Sequence, residues 1–204
     1  MNILITNPEV DPLTRYLLVW SESLINKLEK SNTVYHLKQE RVSRKEFEGF
    51  IKKKDIDLVL LNGHGAEDRV EGNNETILDN KNVSLLKGKA IHSLTCSSAK
   101  KLGKKAVEKG AKSFVGYKEP FVTPNMDDKV RKPQEDTTAK LFLDPAFIVQ
   151  EKLAIGKTPT EAVEAGRAAY ARSIIKAMTS PIQSDDDQFI PCLLWNMRNL
   201  VAIE

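Results

Sequence analysis

The most constraining feature of this chain is a pair of short strand-like segments, each stopped by small and chemically reactive residues. Asp57-Leu58-Val59-Leu60-Leu61 runs into Asn62-Gly63-His64-Gly65, and Ala90-Ile91-His92-Ser93-Leu94-Thr95 runs into Cys96-Ser97-Ser98. Segments of this length, apolar and β-branched in part and halted by turn formers, predict buried strands ending in tight turns. In an open parallel sheet the reactive crevice lies beyond the carboxyl ends of the strands. If the two strands are neighbours, His64 and Cys96 meet there, and their spacing of thirty-two residues suits one crossover connection between parallel strands.

The chemistry of such a pair is specific. A cysteine of ordinary pKa, about 8.5, is mostly thiol at neutral pH, and a nearby imidazole can take its proton or stabilise the thiolate. The same imidazole can then protonate a leaving amine. Glycine at 65 lets the backbone approach a substrate closely, so its N–H and that of Cys96 can receive a developing oxyanion. Taken singly the motifs say less. A Gly-His-Gly turn arises by chance, and a lone cysteine is commonly a small buried hydrophobe. His92 and Cys96 are four apart, which on a strand separates them by about 13 Å along one face. Neither a metal site nor a cofactor is expected.

A strand ending in His64-Gly65, a later strand ending in Cys96-Ser97-Ser98 and a following strand containing Gly and Ala together resemble the caspase-like (clan CD) cysteine peptidases, nearest to the CHAT, clostripain and separase branch. The likeness continues through Gly110-Ala111-Lys112-Ser113-Phe114-Val115-Gly116-Tyr117 and the helix from Thr158 to Arg167. It implies an α/β three-layer α/β/α sandwich with a mainly parallel central sheet. By the same resemblance His64 and Cys96 are the catalytic dyad and Gly65 is an oxyanion donor. The Gln-Ala-Cys-x-Gly signature of caspases proper is replaced by Leu94-Thr95-Cys96-Ser97-Ser98, so aspartate specificity is not implied. In this family the ends of the first strand and of the strand after the cysteine help line the pocket for the residue before the cut. Glu9, Asp11 and Glu119 fall there, and a carboxylate in that pocket would favour Arg or Lys.

The rest of the chain supplies the frame. Asn2 to Asn7 and Thr33 to Leu37 predict strands, and the apolar spacing from Leu13 towards Lys30 predicts a helix. His36 is expected on a strand surface. Ser43, with Glu46 three residues on, signals a helix start. Ile77 to Asn82 suggests a hairpin or edge element that covers the cleft, and Lys100 to Glu108 a helix ending at Gly110. Residues 118–136 carry three prolines and little periodicity, predicting a long mobile loop. Lys129, Arg131 and Lys132 within it offer sites for self-cleavage between Met126 and Asp136. Thr138 to Leu153 is expected to be helical with a break at Pro145, and Thr158-Pro159 to begin another helix. Ser184 to Asp187 reads as a loop. Phe189 to Trp195 is an apolar run suited to a terminal edge strand because of Pro191, with Cys192 structural.

With 204 residues and 41% hydrophobic content, the expectation is one domain spanning 1–204. Two cysteines and no leader suggest a reducing, cytoplasmic setting. No apolar run approaches the ~20 residues that cross a bilayer. A net charge of +3 spread over 31 basic and 28 acidic residues gives no reason to expect nucleic-acid binding. The partners implied are a protein or peptide substrate and an activating protein. Two rival functions stand beside the peptidase. One is a catalytically silent interaction module on the same fold. The other, a small-molecule-binding Rossmann-like domain, is disfavoured because Asn7-Pro8-Glu9 follows the first strand where a glycine-rich phosphate loop would be needed.

Overall fold

The structure, a computed structural model, describes residues 1–124, 129–179 and 188–204. Six strands form the central sheet in the order β2, β1, β3, β7, β8, β9. These are β1 (Asn2–Asn7), β2 (Thr33–Lys38), β3 (Leu58–Asn62), β7 (Ala90–Leu94), β8 (Ser113–Tyr117) and β9 (Leu200–Ile203). All pair in parallel except β9, which runs antiparallel to β8. The buried runs of β3 and β8 have apolar contacts on both faces, as a parallel sheet covered on two sides requires.

The two faces hold separate cores. Ile3, Ile5, Leu58, Leu60, Leu94 and Val115 pack beneath α1 (Pro12–Leu28), α4 (Thr137–Ala154) and α5 (Pro159–Met178). Leu4, Val59, Leu61, Ile91 and Phe114 point the other way, towards α2 (Arg44–Lys53) and α3 (Leu102–Glu108). The result is the expected α/β/α sandwich. Local signals set the helix starts: Asp11 and Thr14 form a capping box before Pro12, Ser43 accepts from the Glu46 N–H, and Thr158 with Glu161 closes a second capping box.

Two expectations are corrected. Pro145 does not break its helix, and α4 continues from Thr137 to Ala154 with Pro145 buried inside it. α5 packs closely against this helix: an added Cβ at Gly166 would lie 2.5 Å from Val149 Cγ2 and 3.6 Å from the Pro145 carbonyl. The run from Phe189 to Trp195 is no strand. It enters α6 (Ile190–Asn199), where Pro191 stands in the first helical turn, a position that needs no N–H. Cys192, Leu193, Asn196 and Met197 then share the inward stripe, and the terminal strand follows as β9.

A second, three-stranded antiparallel sheet departs directly from the end of β3, made of β4 (Gly65–Ala66), β5 (Arg69–Glu71) and β6 (Thr76–Leu78). The element expected near Ile77 is its last strand. Of the long segment between β8 and α4, residues 125–128 lie outside the described residues, as do Met126 within the self-cleavage stretch and the Ser184–Asp187 loop. Its flanks are anchored, Phe121 against the Tyr117 ring at 4.9 Å and Pro133 by burial, while Lys129, Arg131 and Lys132 are exposed. Among the described residues no helix is long and apolar enough to cross a membrane.

Candidate active site

The register of the sheet places the two sequence-predicted reactive residues. β3 and β7 pair with Asn62 opposite Leu94, and the Gly63 N–H reaches the Leu94 carbonyl at 3.3 Å, one step beyond the ladder. His64 and Cys96 each follow two residues after that pair. They therefore leave adjacent parallel strands at the same level, on the carboxyl edge of the sheet. Gly63 makes the departure possible, with φ of +138° and Pro8 so near that a Cβ would lie 2.8 Å from its Cγ.

Gly65 is fixed by what surrounds it. A Cβ there would meet Thr95 Oγ1 at 2.8 Å and the Arg69 carbonyl at 2.9 Å, so the hairpin lies flat on the residue before Cys96. The Glu71 N–H donates to the His64 carbonyl at 3.0 Å, making 64 and 71 a hydrogen-bonded pair. Gly65 opposite Val70 is then a non-bonded position, and its N–H points away from β5. At the hairpin tip, Glu67 ties the hairpin to the chain after the cysteine. Its carbonyl accepts from the Lys101 and Leu102 N–H groups, and its carboxylate pairs with Lys100 and Lys101, each at 2.7 Å. Those two lysines draw the carboxyl down to about 2.

Cys96 occupies a tightly braced turn. Ser97 has φ of +56°, a left-handed conformation unusual without glycine that costs of order 1–3 kcal/mol. The surroundings hold it there. The Ser97 N–H donates to Glu119 O at 3.3 Å, Ala99 N–H to Tyr117 O at 3.1 Å, and Ser98 Oγ to Ser93 Oγ at 3.0 Å. Strain of this kind, held by its neighbours, is a feature of functional turns.

The two reactive side chains are each engaged elsewhere. His64 Nε2 contacts Asp11 Oδ2 at 2.5 Å, leaving Nδ1. Sγ of the half-buried Cys96 makes a long contact, 3.9 Å, with the Phe121 carbonyl. No hydrogen bond joins His64 to Cys96 among the described residues. Burial pushes the Cys96 thiol above its ordinary range, so in this conformation it is a neutral thiol.

The three acids assigned to a substrate pocket are also committed. Glu9 binds Arg15 and Gln39, both at 2.6 Å; the Gln39 amide first and then Arg15 hold its carboxyl below the usual range. Asp11 caps α1 through Thr14 while touching His64. Burial opposes its ionisation, and the Thr14 N–H and His64 outweigh that penalty. Glu119 alone stays beside the chain leaving β8, paired loosely with Lys100 at 3.7 Å. His36, expected on a surface, is half-buried. Its Nε2 lies 3.0 Å from Asn7 Oδ1, and burial lowers it to about 4.

Sequence reasoning missed the role of Asp11 as the partner of His64. The Asp-Pro-Leu-Thr start of α1 fixes that carboxylate, yet nothing local shows which strand end it faces. It also missed Trp195 and Asn196 of α6, which hold the chain beside Cys96: Trp195 Nε1 donates to Pro120 O at 2.9 Å and Asn196 pairs with Val122.

No family model matches the chain, and no curated protein matches it. Among solved structures it is similar to the complex of the pro- and mature domains of RgpB, a caspase-like cysteine peptidase from Porphyromonas gingivalis. The TM-score is 0.56 at 10% sequence identity, covering 99% of this chain and 46% of that chain. This chain thus spans about half the length of the one it matches. The likeness is one of fold: a caspase-like α/β architecture with a mostly parallel six-stranded sheet.

Proposed function

We propose that this chain is a cysteine endopeptidase of the CHAT, clostripain and separase kind. The observation that carries the reading is the common level of His64 and Cys96, each two residues past the paired Asn62 and Leu94 on neighbouring strands. In this mechanism Cys96 Sγ attacks the scissile carbonyl carbon while its proton passes to His64 Nδ1. The carbonyl oxygen becomes an oxyanion held by the Gly65 and Cys96 N–H groups. His64 then gives the proton to the leaving amine, the C–N bond breaks and an acyl-enzyme remains. Water, deprotonated by His64, attacks the acyl carbon and releases Cys96 with its proton returned. Asp11 at Nε2 keeps the proton on that nitrogen, which leaves Nδ1 as the base and steadies the imidazolium.

Specificity for Arg or Lys before the cut then rests on Glu119, which would exchange the loose Lys100 contact for the substrate's cation. Self-cleavage at the exposed Lys129, Arg131 or Lys132 belongs to the same proposal, as do a cytoplasmic setting, an activating protein partner and no role for nucleic acid or membrane. A fluorogenic peptide library incubated with wild type, Cys96→Ala and His64→Ala tests it. Cleavage by wild type and by neither variant is expected. Absence of cleavage together with no labelling of Cys96 by an electrophilic peptide would favour the silent interaction module, a reading that the capped thiol also fits.

A further inference from the structure

The chain leaving β8 crosses the thiol and is held from the far side by α6. Three side-chain bonds do this. Trp195 Nε1 donates to the Pro120 carbonyl at 2.9 Å, and the buried Asn196 amide makes two bonds to one residue, accepting from the Val122 N–H at 2.9 Å and donating to its carbonyl at 2.7 Å. Between these anchors lies Phe121, its ring on Tyr117 and its carbonyl against Cys96 Sγ. The root of the segment follows the same helix, because the Lys118 N–H donates to the Asn199 carbonyl at 2.9 Å.

From this geometry we infer that α6 is a latch: by gripping Pro120 and Val122 it keeps the Phe121 carbonyl over Cys96 and holds the site closed. The inference rests on the proposed nucleophile but not on turnover. The seated segment buries the sulfur, and that burial favours the thiol over the reactive thiolate, outweighing the Phe121 main chain, which pulls the other way. An Asn side chain bonding both main-chain groups of one residue substitutes for a neighbouring strand, so the segment remains seated without a sheet partner. The latch can also be reached from outside. Trp195 is 43% exposed and Leu194 39%, so a binder on the outer surface of α6 would disturb the bond to Pro120 without entering the cleft.

The test reads thiol chemistry rather than peptide cleavage. In a Cys192→Ser background, which leaves Cys96 as the one thiol, iodoacetamide modification is followed by mass across pH 6 to 9. Trp195→Phe keeps an aromatic ring and removes the donor. Loss of one ordinary hydrogen bond to a two-state segment predicts labelling about fivefold faster. Asn196→Leu removes both bonds to Val122 and predicts a larger increase, with the labelling profile shifted to lower pH. Circular dichroism separates an opened latch from an unfolded chain. Should Asn196→Leu fail to fold, Trp195→Phe decides alone. An unchanged or slower rate in folded Trp195→Phe overturns the latch. Faster labelling without any peptide cleavage would uphold the latch and count against the peptidase proposal.

Discussion

His92 lies in the middle of β7, the strand that delivers Cys96, and it provides a quantitative test of the packing that positions the site. It is fully buried, opposite Leu60 on one side and Val115 on the other, and neither ring nitrogen has a partner among the described residues. Burial alone lowers its pKa to about 3, so the folded chain holds it neutral at any moderate pH. The unfolded chain titrates near 6.5 and takes up a proton first as pH falls. Stability from this residue is therefore fully present above about 6.5 and declines below it, continuing to fall until pH reaches about 3. Between those two values the full loss approaches about 5 kcal/mol, and at pH 5 it is about 2 kcal/mol, from 1.36 kcal/mol per pKa unit. Urea unfolding of wild type and His92→Leu at pH 7.5 and pH 5 isolates the effect, since carboxylates and His36 contribute equally to both. Wild type should lose about 2 kcal/mol more than the variant across that interval. An equal loss in the two proteins would refute the neutral buried histidine.

Other consequences concern the site itself. Gly65→Ala drives a methyl into Thr95 and the Arg69 carbonyl and must tilt the hairpin; kcat should fall about 100-fold or more as an oxyanion donor is displaced, with KM changed far less. Asp11→Asn keeps an acceptor for the Thr14 N–H but loses the charge beside His64. Its α1 should remain intact by circular dichroism while kcat drops about 100-fold or more. Glu119→Gln should cut kcat/KM for Arg and Lys substrates about tenfold relative to an uncharged residue before the cut, and an unchanged ratio would remove Glu119 from the pocket.

What was legible in the sequence follows its local signals. The parallel strands are legible because β1 and β3 are short apolar runs and β7 and β8 are β-branched or small-residue segments, all bounded by turn formers, and the helix starts because Ser43 and Thr158-Pro159 carry their caps on their own neighbours. The position of His64 and Cys96 at two strand ends could be predicted for the same reason. What failed depended on distant contacts. Pro145 reads as a breaker because its missing N–H is local, whereas the glycine that lets α5 pack closely against this helix is 21 residues away at Gly166. Pro191 suits an edge strand or a first helical turn equally, and only the inward stripe of Leu193 and Asn196 against the core decides between them. The acids Glu9 and Asp11 were visible, but their partners Gln39, Arg15 and His64 are set by how α1 and β2 meet, which no spacing records.

The central claim is that His64 and Cys96 act as one unit. It is tested most directly by kcat/KM on the best cleaved peptide for wild type, Cys96→Ala, His64→Ala and the double variant, each checked for folding by thermal melt. Both single variants should fall to the same low level, with the double variant no lower, because a nucleophile without its base, or a base without its nucleophile, contributes little alone. Full activity in folded Cys96→Ala, or losses that simply multiply in the double variant, would contradict it.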